Sequence, residues 1–233
     1  MEEIKPNKKT RLNLIVNYLL LWLLAYVAIH EIILGEYLYA SAAISAIIVS
    51  FIPAFILRNY RITMPWLLEF LILLALSLHI IGNSFRLYHN LRYYDIMMHI
   101  FGTSVVAILA FHIVFALHYS GRIKVTVRMI GIFIFTFAIA IGALWEIGEF
   151  ATDHLLLTNA QMTWINPAAG LFDTNTDLIF DTLAGAIVAI GGMNYIRRKE
   201  MEKSKKQSSN YRKKSKNYNK IGIKNKKHKK LEV

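Results

Sequence analysis

Three carboxylates recur at four-residue intervals in Asp173-Thr-Asn-Thr-Asp177-Leu-Ile-Phe-Asp181. On a helix such positions drift only about 40° per step, so all three face nearly one way. The run 177–195 is apolar enough to cross a membrane. An acid inside such a span is costly to bury and therefore marks a functional site. Capping competes with that reading at the start of the run. Asp173, Thr174 or Thr176 suits an N-cap, and Thr174-x-x-Asp177 fits a capping box. Asp181 lies too deep for capping.

Two other stretches carry the same residue types. Asp95-x-x-x-His99 offers two ligands on one helical face, or an acid that orients an imidazole. Glu146, Glu149 and Asp153 form one stripe at i, i+3 and i+7. The candidate catalytic set is Asp95, His99, Glu146, Glu149, Asp177 and Asp181. His99, Glu146, Glu149, Asp177 and Asp181 are the candidate metal ligands. Carboxylate and imidazole donors suit Mg²⁺, Mn²⁺ or Zn²⁺. Such an ion activates water or polarises a phosphoryl group. Arg86 and Arg92 are the candidate substrate-binding residues, offered to a phosphate. The chain has no cysteine, which excludes thiolate chemistry, disulfides and Cys-ligated metal. It also lacks Gly-x-Ser-x-Gly, His-Glu-x-x-His and a Gly-rich phosphate loop.

The elements that position these residues are membrane helices. Of 233 residues, 55% are hydrophobic, and apolar runs near or above about 18 residues recur. The pattern predicts an all-α polytopic membrane protein, a bundle of six transmembrane helices. The spans are expected at about 12–29, 37–57, 64–82, 95–119, 127–150 and 177–195. Residues 1–11 form a cytoplasmic N-terminus, 12–196 the transmembrane domain, and 197–233 a disordered Lys-rich tail. The net charge of +12 sits in that tail, whose 16 Lys and Arg face 3 Glu, leaving the rest of the chain at −1. The expected tail partners are anionic lipid headgroups, at about 1 kcal/mol per charge, rather than any specific nucleic acid.

Basic residues orient the bundle. Lys5, Lys8, Lys9 and Arg11, the Arg58–Arg61 turn, the Arg122–Arg128 turn and the tail share one side. The connection 151–176 contains no Lys or Arg. The positive-inside rule makes the basic side cytoplasmic, with both termini inside the plasma or inner membrane. Arg86 and Arg92 then fall outside, against the trend. The six acids and His99 gather at the outer end of the fourth, fifth and sixth spans. There Asp95 and Asp177 sit at favourable helix N-termini, whereas Glu146 and Glu149 sit at an adverse C-terminal end. His79 and Asn83 exit at the same level. His112 and His118 lie deeper and read as structural. Gly102, Gly142, Gly148, Gly185 and Ala189 are small residues suited to close helix contacts, with Gly185-x-x-x-Ala189 a packing signal. Tyr93, Tyr94, Trp145 and Trp164 suit an outer aromatic belt.

Three of these motifs together resemble a known family. They are Tyr94-Asp95-x-x-x-His99-x-x-Gly102, Trp145-Glu146-x-x-Glu149, and Asp173-Thr174-x-x-Asp177-x-x-x-Asp181-x-x-Gly185-Ala186. As a set they resemble the YjdF-like family of inner-membrane proteins, over residues 93–190. A looser resemblance links the chain to the VanZ-like family, whose Glu-x-x-Gln stands here as Glu-x-x-Glu. Both imply an inner-membrane protein, and neither implies a mechanism. The expected function is a divalent-metal-dependent enzyme acting on a lipid or envelope precursor. The alternatives are a proton- or cation-coupled transporter and a non-catalytic membrane scaffold.

Overall fold

The computed structural model describes residues 8–59, 61–161 and 166–229. Trp164, residues 1–7 of the expected N-terminal segment and residues 230–233 of the tail lie outside them. The regular structure of the described residues is all helix, without strands: α1 (Lys8–Leu34), α2 (Tyr37–Asn59), α3 (Trp66–Ser84), α4 (Leu87–Asn90), α5 (Tyr94–Tyr119), α6 (Val127–Leu156) and α7 (Pro167–Lys229). Six of these are long and apolar enough to cross a membrane, and α4 is a single turn between α3 and α5. Only 22% to 33% of each apolar window is buried. The rest, with Trp22 at 73% and Ile33 at 77% exposure, would be costly in water and is what a bilayer solvates.

Local chemistry sets most boundaries. Gly35, at φ +80°, makes the tight α1–α2 turn, and Gly121, at φ +74°, ends the turn after α5. Pro65 precedes α3 with the extended backbone of a cap residue. The Thr126 hydroxyl accepts from the Met129 N–H at 3.3 Å and caps α6. Leu24, Val27 and Ala28 of α1 pack on Ala43 and Ala46 of α2 and Ile80 of α3. Leu68 and Ile72 of α3 pack on Val105 of α5, and α5 lies against α6.

Three expectations are corrected. The sixth span starts at Pro167 rather than 177. Its cap is Asn166, whose side-chain oxygen accepts from the Ala169 N–H at 2.8 Å, with Pro167 in the first helical position. Asp173 and Asp177 are therefore inside the helix and cap nothing. The fifth span runs on to Leu156, so Glu146 lies ten residues before its end. A macrodipole acts within the last turn, so the adverse end expected for Glu146 and Glu149 is not there. Residues 197–229 continue α7 as helix where disorder was expected. Lys, Arg, Glu, Gln and Met are good helix formers even where no core demands one.

The chain divides into two compact units, Met1–Ile190 and Gly191–Val233. The first holds α1 to α6, the acidic part of α7 and the whole candidate site. The second is the basic stretch of α7, in which Lys199 lies over the Tyr195 ring at 5.6 Å.

Candidate functional site

His99 is the centre of the site. It lies on α5 in line with Asp95 and Thr103, at i−4 and i+4, and is 7% exposed. Its two ring nitrogens face different partners. Nδ1 stands 3.3 Å from both carboxylate oxygens of Asp181. Nε2 faces Glu146 at 3.5 Å, Asp95 at 3.8 Å and Asp177 at 4.0 Å. Four acids from three helices thus converge on one imidazole. Asp181, Asp177 and Glu146 are buried at 0%, 2% and 4% exposure.

Asp181 is the best-anchored of the four. The Thr103 hydroxyl donates to its Oδ1. Gly142 of α6 lies directly against it, and a Cβ there would occupy the space of the Asp181 carboxylate. Gly185 of α7 likewise packs on α6, where an added Cβ would stand 3.1 Å from that of Ala138. Two of the four expected glycines therefore allow close helix approach, and the fifth expected small residue, Ala189, is buried. At Gly102 and Gly148 an added Cβ would meet nothing within 4 Å.

Glu146 is the opposite case. Both carboxylate oxygens are buried and neither has a hydrogen-bond partner among the described residues. Its backbone is held instead, because the Gln161 amide donates to the Glu146 carbonyl at 3.3 Å and to Thr174 Oγ1 at 3.0 Å. Asp153 fixes Gln161 in turn. Its carboxylate accepts from the Thr158 hydroxyl at 2.5 Å and from the N–H groups of Ala160 and Gln161 at 2.7 and 3.0 Å. Asp153 thus folds the α6–α7 connection over the site and does not enter it.

The structure brings five of the six expected catalytic residues together: Asp95, His99, Glu146, Asp177 and Asp181. Glu149 stands apart, as acceptor for the Trp145 indole N–H at 2.9 Å. Among the ligand-type residues, Asp95, His99 and Asp177 each offer an atom within 4.8 Å of the others. Asp95 thus stands where Glu149 was expected. Arg86 and Arg92 are exposed and do not reach the hub. Arg86 adopts φ +54° ahead of α4, and Arg92 lies over the Tyr93 ring at 5.5 Å. Tyr94 is 7% exposed and donates to the Leu78 carbonyl at 2.7 Å, so it serves packing rather than an aromatic belt. His112 Nε2 donates to the Thr63 carbonyl at 2.9 Å, as befits a structural histidine.

Sequence reasoning missed Thr103 and Gln161. Thr103 had a signal, since it extends Asp95-x-x-x-His99 by one more turn of the same face. Gln161 sits in an aperiodic connection and had none. His79 was read only as sharing the level. It pairs with the Tyr88 hydroxyl at 2.7 Å, with the Asn83 amide 3.1 Å from its other nitrogen, and its ring meets Trp145 edge-on. Burial, and then the negative charge of Asp95, raises the Tyr88 phenol above its usual range, so Tyr88 stays a protonated hydroxyl in that pair.

These helices and this site coincide with a family match. A model described as "Predicted membrane protein (DUF2238)" matches residues 12–198. The chain belongs to this family. It is the family that the YjdF-like resemblance indicated, and the match takes in the first two spans, which the resemblance left out. The looser VanZ-like resemblance finds no support. An "Uncharacterized protein" from Thermotoga maritima is 31% identical over 104 residues, 45% of this chain. The aligned part spans half the length of that relative, at 50%. No solved structure matches.

Proposed function

We propose that the His99 hub binds a divalent cation at the extracytoplasmic end of the bundle and serves a hydrolytic or transfer reaction on a membrane lipid or envelope precursor. The observation that carries this reading is the geometry around Nε2. Three carboxylates, the buried Glu146 and Asp177 and the half-buried Asp95, face it at 3.5 to 4.0 Å, too far for good hydrogen bonds. Ligands that share one ion at 2.0–2.2 Å stand about 3.3–3.6 Å apart in a tetrahedron; Asp95, His99 and Asp177 already offer atoms within 4.8 Å of one another, and Glu146 joins them by a further approach. In this reading Asp95, His99, Glu146 and Asp177 are the ligands. Asp181 is a positioning residue, because a carboxylate on the far nitrogen fixes tautomer and ring orientation in metal sites. Thr103 positions Asp181. Imidazole with carboxylates favours Zn²⁺ or Mn²⁺ over Mg²⁺.

Charge supports the same conclusion. Four carboxylates against one imidazole in a membrane-spanning bundle need a compensating cation or shared protons. A divalent ion supplies that compensation and makes the site reactive by activating water. Arg86 and Arg92 border this end of the bundle, Arg92 only three residues before Asp95 in the chain, and are offered to the phosphate of an arriving headgroup. The plasma or inner membrane, with both termini cytoplasmic, follows from the basic-residue asymmetry.

Metal analysis of the purified protein tests the reading. Near-stoichiometric Zn or Mn is expected in the wild type, absent after His99→Ala and retained in Asp153→Asn. A metal-free wild type that binds neither ion on titration would overturn it. Ion flux without turnover in proteoliposomes would turn the assignment to a carrier.

A further inference from the structure

We propose that the hub opens onto an intramembrane channel for a single hydrocarbon chain, so that its substrate is an amphiphile whose chain lies along α5. This rests on the cation reading for what happens to the headgroup. The chain site itself stands on a separate observation, a cavity of about 330 Å³ inside the first unit. The space is partly open rather than a sealed void, so a chain can enter it from the side, and protein side chains leave it unfilled.

The lining changes character along its length. At one end are Asp95, His99, Thr103 and Asp181, with His79 and Tyr88 beside them. At the other are Val49, Pro53, Ile72, Val105 and Leu109. From Asp95 to Leu109 the cavity follows α5 for fourteen residues, about 21 Å at 1.5 Å per residue. One leaflet of the hydrocarbon core is about 15 Å deep, so that length receives most of a lipid chain. The volume equals about eleven water-sized groups at about 30 Å³ each, enough for part of one chain and too little for two.

Polarity selects the occupant. An apolar cavity lined by aliphatic side chains stays dry and accepts apolar guests, so water does not fill the deep end. Within a bilayer the abundant apolar guest is a lipid chain. The polar end meets the bond between chain and headgroup where His99 and Asp95 stand. A soluble substrate would leave the Ile72–Leu109 end without a partner.

Gly102 provides the test. It lines the cavity, and a Cβ built there meets nothing within 4 Å, so the side chain of Gly102→Leu starts in open space and extends into the channel. Gly148→Leu is the matched control, equally unobstructed but outside the lining. The probe is a palmitoyl lysophosphatidylethanolamine with a diazirine near the methyl end of its chain. It is photolysed with nanodisc-embedded protein, and the labelled peptides are mapped, with Mn²⁺ binding measured in parallel. Label is expected at Ile72, Val105 and Leu109 in the wild type and in Gly148→Leu, and is lost in Gly102→Leu with Mn²⁺ binding intact. Unchanged label at these positions in Gly102→Leu, or wild-type label confined to outward-facing residues such as Ile132 and Leu144, overturns the chain site. Lining label without Mn²⁺ binding upholds the chain site and overturns the cation reading alone. Mn²⁺ binding without lining label does the reverse.

Discussion

Glu146 separates two explanations of the same burial. Its carboxylate faces His99 Nε2 at 3.5 Å and has no hydrogen-bond partner among the described residues. An uncompensated buried charge costs several kcal/mol, so either a cation or a proton must stand there. Glu146→Gln decides between them. If the group is a ligand, the amide abolishes tight metal binding and leaves the apo protein about as stable as before. If a proton neutralises it, the amide mimics the neutral acid, and metal content is nil in both proteins. Calorimetric titration of Zn²⁺ or Mn²⁺ on wild type and variant reads the difference. Thr103 gives a finer test, because it acts on the metal only through Asp181. Thr103→Val keeps the side-chain volume and removes the donor. It should weaken metal affinity by about 10- to 100-fold, the usual cost of losing an outer partner, without abolishing binding. An unchanged affinity would leave the Thr103–Asp181 bond a purely structural tie.

Helix contacts bring the hub together, and the closest is that of α6 with α7 at Gly142. The Asp181 carboxylate occupies the space a side chain would need. Gly142→Ala should therefore lower stability by about 1–3 kcal/mol, the range for an overpacked site, and displace Asp181 from His99. Reduced thermal stability together with reduced metal affinity is the expected result, and Gly148→Ala, where an added Cβ meets nothing, should change neither. These contacts were only partly legible in the sequence. Hydropathy disclosed the six spans, because a run of apolar residues has few other uses at that length. Four-residue spacing disclosed the faces of Asp95 with His99 and of Asp177 with Asp181. What it did not disclose was which way Glu149 turns, since one stripe at i, i+3 and i+7 leaves its two edges free to meet different neighbours. The start of α7 was misplaced because hydropathy marks where a span becomes apolar, whereas capping marks where the helix begins. The capping signal was present in Asn166-Pro167, and Asn166→Ala should cost about 1 kcal/mol.

At the scale of the whole molecule, the proposed outward-facing hub rests on the distribution of charge. Six spans place both ends of the transmembrane region on one side. The connections on that side carry Arg58, Arg61, Arg122, Lys124 and Arg128, and the chain beyond α7's apolar part adds 16 further Lys and Arg. The stretch 151–176, which includes Asp153 and Gln161, has none. Translocating a basic segment against the membrane potential costs about 2.3 kcal/mol per charge per 100 mV, which supports the proposed orientation with the basic side cytoplasmic and the hub outward. The absence of cysteine makes this measurable on a clean background. A cysteine at Ala160, an exposed position of the outer connection, should react in intact cells with a maleimide that cannot cross the membrane. A cysteine at Ser208 should react only after permeabilisation. The reverse pattern would put the hub in the cytoplasm, and a lipid or precursor handled from the outer leaflet would then be ruled out as its substrate.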